Sequence, residues 1–313
     1  MKTDFTNIEF DIVVLAGQSN AEGYAVSREK TPKVISDAYE IIDKNKFGMK
    51  LKEDGSYDGL DFVYPVEVII RELQERRSKD GTYCSDLSLS FVEQYKKSKF
   101  YTSGRKILVI KTGYGGSGFA FNQHGVGNPL YIRMLDMINI GLSLNKNNRI
   151  VAFLWHQGEH DAFENAWFSY DERYEYYYSN LLKQFLAIKE EYKQFDFPFI
   201  TGGMCRDWKK RYLVQTEAVE KATIDVCNRI GNAAFVQTTD LPSNEEELHN
   251  GDLDHFSKNS IIILGKRYFD AFTSLKRKWL DLITKVKYKK RIICAFLIQY
   301  KYSDILASDI LEL

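Results

Sequence analysis

The chain is short of cysteine, carries no net charge and lacks any long apolar run, and each shortage removes a class of protein. Its cysteines are Cys84, Cys205, Cys227 and Cys294, with no CxxC pair among them. A disulfide scaffold is therefore not expected, and buried free thiols are. Lys plus Arg and Asp plus Glu both number 43, so no net field draws nucleic acid or an anionic membrane toward the protein. The longest late apolar run, Ile292 to Ile298, is far too short to span a bilayer core of about 30 Å. The first nine residues are polar or mixed and leave no room for a charged n-region followed by an apolar stretch. The expectation is a chain with no transmembrane segment, located in the cytoplasm.

What remains is an ordinary globular composition in 313 residues, enough for one large domain or two. Apolar β-branched runs occur at 12–16, 107–110, 150–155, 197–201 and 233–237, and longer stretches with helical spacing separate them. The helical candidates are 86–98, 130–144, 169–193, 210–229 and 258–275, with Asp86 and Ser257 as amino-terminal caps. Alternating β and α predicts a three-layer α/β/α sandwich around a central parallel sheet of about five strands, wound in the flavodoxin-like manner. Residues 22–64 are poorly periodic and read as an extended loop beside the first strand, a place where pocket-lining loops are common. The tyrosine-rich stretch with Tyr174, Tyr176, Tyr177 and Tyr178 reads as an amphipathic helix that packs its rings on the sheet, ahead of an aromatic binding platform. Residues 1–280 form the expected domain. The extension 281–313 has a basic cluster, Lys285 to Arg291, before its apolar run, and reads as a docked terminal element ahead of a membrane-surface helix.

Chemistry first appears at Gly17-Gln18-Ser19-Asn20, directly behind the first strand. Open α/β folds bind ligands at the carboxyl edge of the sheet, which makes Ser19 a candidate nucleophile; the rival reading is a helix cap. After the second strand comes Thr112-Gly113-Tyr114-Gly115-Gly116-Ser117-Gly118. Glycines there let backbone N–H groups approach a negative oxygen closely. The P-loop pattern is absent, and the GxGxxG spacing of Gly113, Gly115 and Gly118 lacks its acidic partner at the end of a second strand, since Asp136 falls in a helix-like stretch. An oxyanion donor fits better than a phosphate cradle.

Behind the third strand lies Trp155-His156-Gln157-Gly158-Glu159-His160-Asp161. The string HxxEH matches an inverted zinc-protease pattern, which needs both imidazoles on one helical face and a third ligand. A β-like run precedes it and Gly158 interrupts any helix, so the preferred reading aims the Gln157 amide at the same point as the glycine loop. Glu159 and Asp161 read as braces for backbone donors. Last comes Gly251-Asp252-Leu253-Asp254-His255-Phe256-Ser257. At a spacing of three, Asp252 can bind the His255 ring and fix its tautomer, supplying the base and orienter that a serine nucleophile needs.

The blocks GQSN, GGS, WHQGEHD and DLDHF, in this order over roughly 10–275, resemble the SGNH-type carbohydrate esterases, in particular the branch of sialate O-acetylesterases and acetylxylan-esterase relatives. GGSGF and the later Pro129-Leu130-Tyr131 add a weaker likeness to bacterial sialate O-acetylesterases. The resemblance implies Ser19 as nucleophile, His255 as general base and Asp252 as its orienter, with Asp254 as the fallback. It implies oxyanion donors from the Ser19 N–H, a glycine N–H of Gly115 or Gly116, and the Gln157 amide. It implies hydrolysis of an O-acetyl ester on a sugar, with no metal or organic cofactor. Two departures stand beside it: secreted members carry a signal peptide, which disfavours an extracellular plant polymer as substrate, and the tail after about 280 has no counterpart. The sugar, the acetylated position and the oligomeric state are open at this level. Rival functions are a lipase or thioesterase on the same scaffold, a catalytically silent glycan-binding protein, and a zinc hydrolase. The stretch Gly202 to Trp208 should open at the same sheet edge, where Arg206 can pair with a sugar carboxylate and Trp208 can stack on the ring; the alternative for Arg206 is a surface ion pair.

Overall fold

Strand β1 (Phe10–Gly17) is buried at every position, as a near-continuous run of β-branched and aliphatic residues must be when both faces of a parallel sheet are covered. The computed structural model describes residues 4–43, 66–78, 80–163 and 168–278. The chain divides into two compact units, Met1–Phe272 and Thr273–Leu313. Of the second unit, residues 273–278 are helical; the basic cluster and apolar run of the tail lie outside the described residues.

Around β1 the first unit builds strands β2 (Ala25–Ser27), β3 (Val34–Asp43), β4 (Val68–Gln74), β5 (Arg76–Arg77), β6 (Tyr83–Ser85), β7 (Lys106–Lys111), β8 (Arg149–His156), β9 (Phe199–Gly202) and β10 (Ala233–Val236). Its helices are α1 (Ser19–Glu22), α2 (Leu87–Lys96), α3 (Pro129–Ser143), α4 (Glu159–Phe163), α5 (Tyr170–Glu191), α6 (Arg206–Arg211), α7 (Leu213–Ile230) and α8 (Asn244–Leu248). A further helix, α9, begins at 258. The expected caps are present: the Asp86 side chain accepts from Ser88 N–H at 2.7 Å, and the Ser257 hydroxyl accepts from Ser260 N–H at 3.2 Å.

The main sheet has seven strands in the order β10-β9-β8-β1-β7-β3-β4. Numbered by their own sequence, β1, β7, β8, β9 and β10 run 2-1-3-4-5, the flavodoxin-like order. The expectation of about five strands is short by two: β3 lies within 22–64, which is not an extended loop throughout, and β4 follows at 68–74. Strand β3 pairs parallel to β7, and β4 pairs antiparallel to β3 with a register shift between Ile35 and Tyr39. Asp37 sits at that shift with φ 57°. Such a bulge breaks the period-2 alternation by which a strand is recognised. A second sheet, β2-β6-β5, carries the loops that face the cleft described below.

Helix α3 packs on β1, β3 and β7, and α5 lays Phe185 on Phe199 with ring centroids 4.4 Å apart. Of the tyrosines of α5, Tyr177 faces the sheet, where its hydroxyl accepts from Trp155 Nε1 of β8 at 3.5 Å; Tyr174 instead hydrogen-bonds Asp225 of α7 at 2.8 Å, and Tyr176 bonds the Phe119 carbonyl at 2.9 Å. Cys84, Cys205 and Cys227 are buried and free. Among the described residues no helix is long and apolar enough to cross a membrane.

Candidate active site

In a 2-1-3-4-5 sheet the strand order reverses between the first and third strands, here β1 and β8, and ligands bind beyond the carboxyl ends at that point. Gly17 makes the turn there at φ 135°, and a Cβ on it would lie 2.0 Å from the His156 carbonyl oxygen. No other residue fits so close an approach. Ser19 follows as the first residue of α1, where a backbone N–H has no acceptor within its helix. The Gln18 side chain reaches into the turn after β8, accepting from His160 N–H at 3.1 Å and from Gln157 Nε2 at 3.1 Å.

The last loop brings His255 to the same edge. Asp252 Oδ1 accepts from the N–H groups of Asp254 and His255, each at 3.1 Å, so the loop closes as an Asx-type turn and not as the helical turn that the spacing suggested. Both Asp252 oxygens also lie 3.0 Å from His255 Nδ1. That contact fixes the proton on Nδ1 and leaves Nε2 to face the cleft. Asn244 holds the far oxygen of Asp252 at 2.8 Å, and Tyr24 stacks on the His255 ring at 4.8 Å between centroids. Neither Asn244 nor Tyr24 carried a signal in the sequence; each belongs to a different segment and is recruited only by the fold. Burial pushes the His255 pKa down, but the hydrogen bond and charge of Asp252, with Asp254 and Glu159 beyond, leave it raised. Asp252 is lowered on balance, its burial being outweighed chiefly by the His255 contact. Among the described contacts no hydrogen bond joins Ser19 Oγ to His255; in a free enzyme such bonds are commonly loose.

The glycine loop after β7 abuts Ser19. A Cβ on Gly115 would lie 3.5 Å from Ser19 Cβ, and the Gly115 N–H donates to Glu22 Oε2 at 2.9 Å. Gly116 has a φ of 68° and open space beside it. Gly113 is small because the α1 backbone passes 2.6 Å from where its Cβ would be, and Gly118 because the Asp161 carboxylate does the same. The GxGxxG spacing therefore reflects protein packing against protein and not a nucleotide cradle.

Gln157 is not brought to the cleft. Its Nε2 lies 2.6 Å from Asp161 Oδ2, 3.1 Å from Gln18 Oε1 and 3.1 Å from the Ser117 carbonyl, and its Oε1 accepts from Tyr177 at 2.8 Å. An amide with two protons and this many acceptors has none left for a substrate. Glu159 and Asp161 brace as expected: Asp161 accepts from the N–H groups of Phe119 and Ala120, and Glu159 from Asn20 Nδ2.

His156 and His160 do not share a target. His156 ends β8 and bonds Tyr268 of α9 through Nδ1 at 2.8 Å, with burial pushing its pKa down to about 3. His160, on α4, lines the cleft and is lowered to about 4 by burial. Among the described residues no group of three or more His, Cys, Asp or Glu side chains is arranged to hold a metal.

Ser19, Gly115, Gly116, Asp252 and His255 line one cleft of about 1260 Å³, with Phe163, Trp208, Arg211 and Tyr212 on its wall. Trp208 lines the cleft but is buried, its ring 4.6 Å from that of Tyr212. Arg206 does not line the cleft: its guanidinium binds Glu246 and Asp207, the surface pairing that was its alternative. Of the cleft's cations, Arg71 pairs with Glu40 and Lys111 with Glu40 and Asp86. Arg211 is exposed at the end of α6 with no carboxylate within 4.0 Å among the described residues.

Over residues 9–274 the sequence matches the family described as "Carbohydrate esterase, sialic acid-specific acetylesterase". The chain belongs to this family. A carbohydrate esterase of this kind is an enzyme that removes acetyl groups from sugars, and the four blocks read from the sequence all fall inside the matched region. Among solved structures, the fold is similar to that of NanS at 18% identity, TM-score 0.63, covering 86% of this chain and 98% of that one. It is also similar to a protein of Arabidopsis thaliana at 17% identity, TM-score 0.59, covering 85% and 98%. At such identities the likeness is one of fold. No curated protein sequence matches the chain. Within the esterase, the elements that the family match spans are those that build the cleft: the ends of β1, β7 and β8 and the loop before α9.

Proposed function

We propose that this carbohydrate esterase cleaves an O-acetyl ester of an acidic sugar by a serine mechanism with Ser19 as nucleophile, His255 as general base and Asp252 as its orienter. The observation that carries the reading is that Asp252 binds His255 Nδ1 while Ser19 and His255 line the same cleft. His255 Nε2 takes the Ser19 proton as Oγ attacks the acetyl carbonyl, and the resulting imidazolium is stabilised by the Asp252 charge. The sugar alkoxide leaves with that proton, and water, deprotonated by the same ring, releases acetate and frees Ser19. The N–H groups of Ser19 and Gly116 are the proposed oxyanion donors, because Gly115 N–H is already given to Glu22 and the Gln157 amide is spent inside the protein.

For the sugar itself, Phe163 and Tyr212 offer aromatic faces on which a pyranose ring can stack, with Trp208 buried behind them. Arg211 beside them, its guanidinium against the Tyr212 ring, supplies a donor pair for a carboxylate. Acetate release from a panel of O-acetylated sialic acids, acetylated xylan fragments and aryl acetates tests the reading. Preference for the sialic acids, together with covalent labelling of Ser19 by an organophosphonate that Ser19→Ala abolishes, is the expected result. Release from xylan fragments with none from sialic acids would remove the acidic-sugar assignment and leave the esterase chemistry standing.

A further inference from the structure

Asn20, the residue after Ser19, is 1% exposed and spends its whole amide on holding other segments. Its Nδ2 donates to Glu159 Oε1 at 2.6 Å and to the Asp254 carbonyl at 3.2 Å. Its Oδ1 accepts from Phe256 N–H at 3.1 Å. Asp254 and Phe256 are the two residues on either side of His255. A side-chain amide has the donor and acceptor of a peptide group, so Asn20 pairs with the loop as a neighbouring strand would, at the carbonyl before the histidine and the N–H after it.

We infer that Asn20 is a positioning residue that sets the reach of His255 to Ser19, and that Glu159 holds the Asn20 amide in the orientation this requires. The inference rests on the serine mechanism proposed above. Ser19 and Asn20 are adjacent on α1, so any shift of the loop relative to Asn20 is a shift of His255 relative to the nucleophile. The orientation of the amide is not free to reverse, because Glu159 needs a donor and lies against Nδ2. Glu159 is 3% exposed, and its other oxygen has no hydrogen-bond partner among the described residues. Among the described residues, Asn20 is the side chain that hydrogen-bonds this carboxyl group. The Asp252 contact and the Tyr24 stack fix the tautomer and the tilt of the ring, and Asn244 N–H holds the His255 carbonyl at 2.8 Å; Asn20 is the residue that ties this loop to the segment carrying Ser19.

The test uses purified full-length chain, an aryl acetate, and titration of active sites with an organophosphonate. In Asn20→Ala, kcat per titrated site should fall about 10- to 100-fold, as for a displacement of the base by roughly 1 Å, with KM within about twofold of the parent. Asn20→Asp keeps the acceptor for Phe256 N–H but sets two carboxyl groups against each other. Its kcat should fall similarly and recover in part in Asn20→Asp/Glu159→Gln, where the donor has moved to the other partner. Recovery by the exchanged pair keeps the idea testable even if Asn20→Ala folds poorly. Parent-like kcat per titrated site in Asn20→Ala, or a double variant no better than Asn20→Asp, overturns the inference. Failure of the serine mechanism itself looks different: activity then persists in Ser19→Ala and the organophosphonate titrates no site.

Discussion

The two ends of strand β1 are equally rich in polar groups, and only one of them is open. At the amino end Asp11, with no exposed surface, accepts from Arg105 Nε and Arg149 Nε at 2.7 Å each and from the Tyr95 hydroxyl at 2.8 Å. Arg105 also donates to Glu9 and to the carbonyls of Phe10 and Asn147. Every charge there is answered by protein. At the carboxyl end Gln18 and Asn20 are likewise consumed, but Ser19, Gly116 and His255 face a cleft. Chemistry requires groups whose partners are missing until substrate arrives, held by neighbours whose partners are all present. Closure at one end and controlled incompleteness at the other is the difference to break.

The largest effect should come from removing the open groups. Ser19→Ala or His255→Ala should lower kcat by about 10⁴- to 10⁶-fold, since members of such a unit act together, while the thermal midpoint stays within a few degrees of the parent. Acetate release by purified, folded variant is the measurement, and near-parent turnover in Ser19→Ala would eliminate the nucleophile. Asp252→Asn should follow, with a loss on the order of 10⁴-fold through the wrong tautomer. It also tests the pH dependence. Only neutral His255 accepts the serine proton, and its pKa is raised, so kcat/KM should rise with pH through a midpoint above the ordinary histidine value of about 6.5. Without the Asp252 charge the burial of the ring is less opposed, and the midpoint should move down. A rate flat from about pH 5 to 8 would contradict the mechanism.

Asp11→Ala attacks the closed end and should do the opposite. Breaking a buried pair costs about 3–5 kcal/mol, and the lower figure is expected because Arg105 keeps its carbonyl acceptors. The denaturation midpoint should drop, with kcat of the folded fraction unchanged. A loss of kcat without a loss of stability would mean that the two ends are coupled.

The asymmetry also explains what the sequence disclosed. Four blocks and the five parallel strands were legible because each strand is a short apolar run and each block follows one, so position along the chain maps to one sheet edge. Strand β3 was not, because the bulge at Asp37 breaks its alternation. The Asp252–His255 pair was legible at a spacing of three, although the turn that joins them is not helical. Gln157 follows a strand at the right edge, which points it outward by position, but the direction of an amide depends on its acceptors, and Asp161, Gln18 and Ser117 reach it from three other segments. Tyr24 and Asn244 were silent for the same reason.

The smallest expected effect separates the two arginines of α6, which repeat the contrast of the strand ends on a single short helix. Arg206 is closed by Glu246 and Asp207, and its pKa is raised by those contacts; Arg211 lines the cleft with its guanidinium 5.3 Å from the Tyr212 ring centre. Arg211→Ala should raise KM for an O-acetylated sialic acid about tenfold, the equivalent of ~1.4 kcal/mol, and leave hydrolysis of a neutral aryl acetate almost unchanged. Arg206→Ala should change neither by more than about twofold, because an ion pair at the surface is worth at most about 1 kcal/mol and this one touches no substrate. The reverse pattern, with Arg206 selective for the acidic sugar, would require its pairs to Glu246 and Asp207 to open on binding. Equal effects of Arg211→Ala on both substrates would assign that side chain to the cleft wall and remove the carboxylate from the proposed substrate.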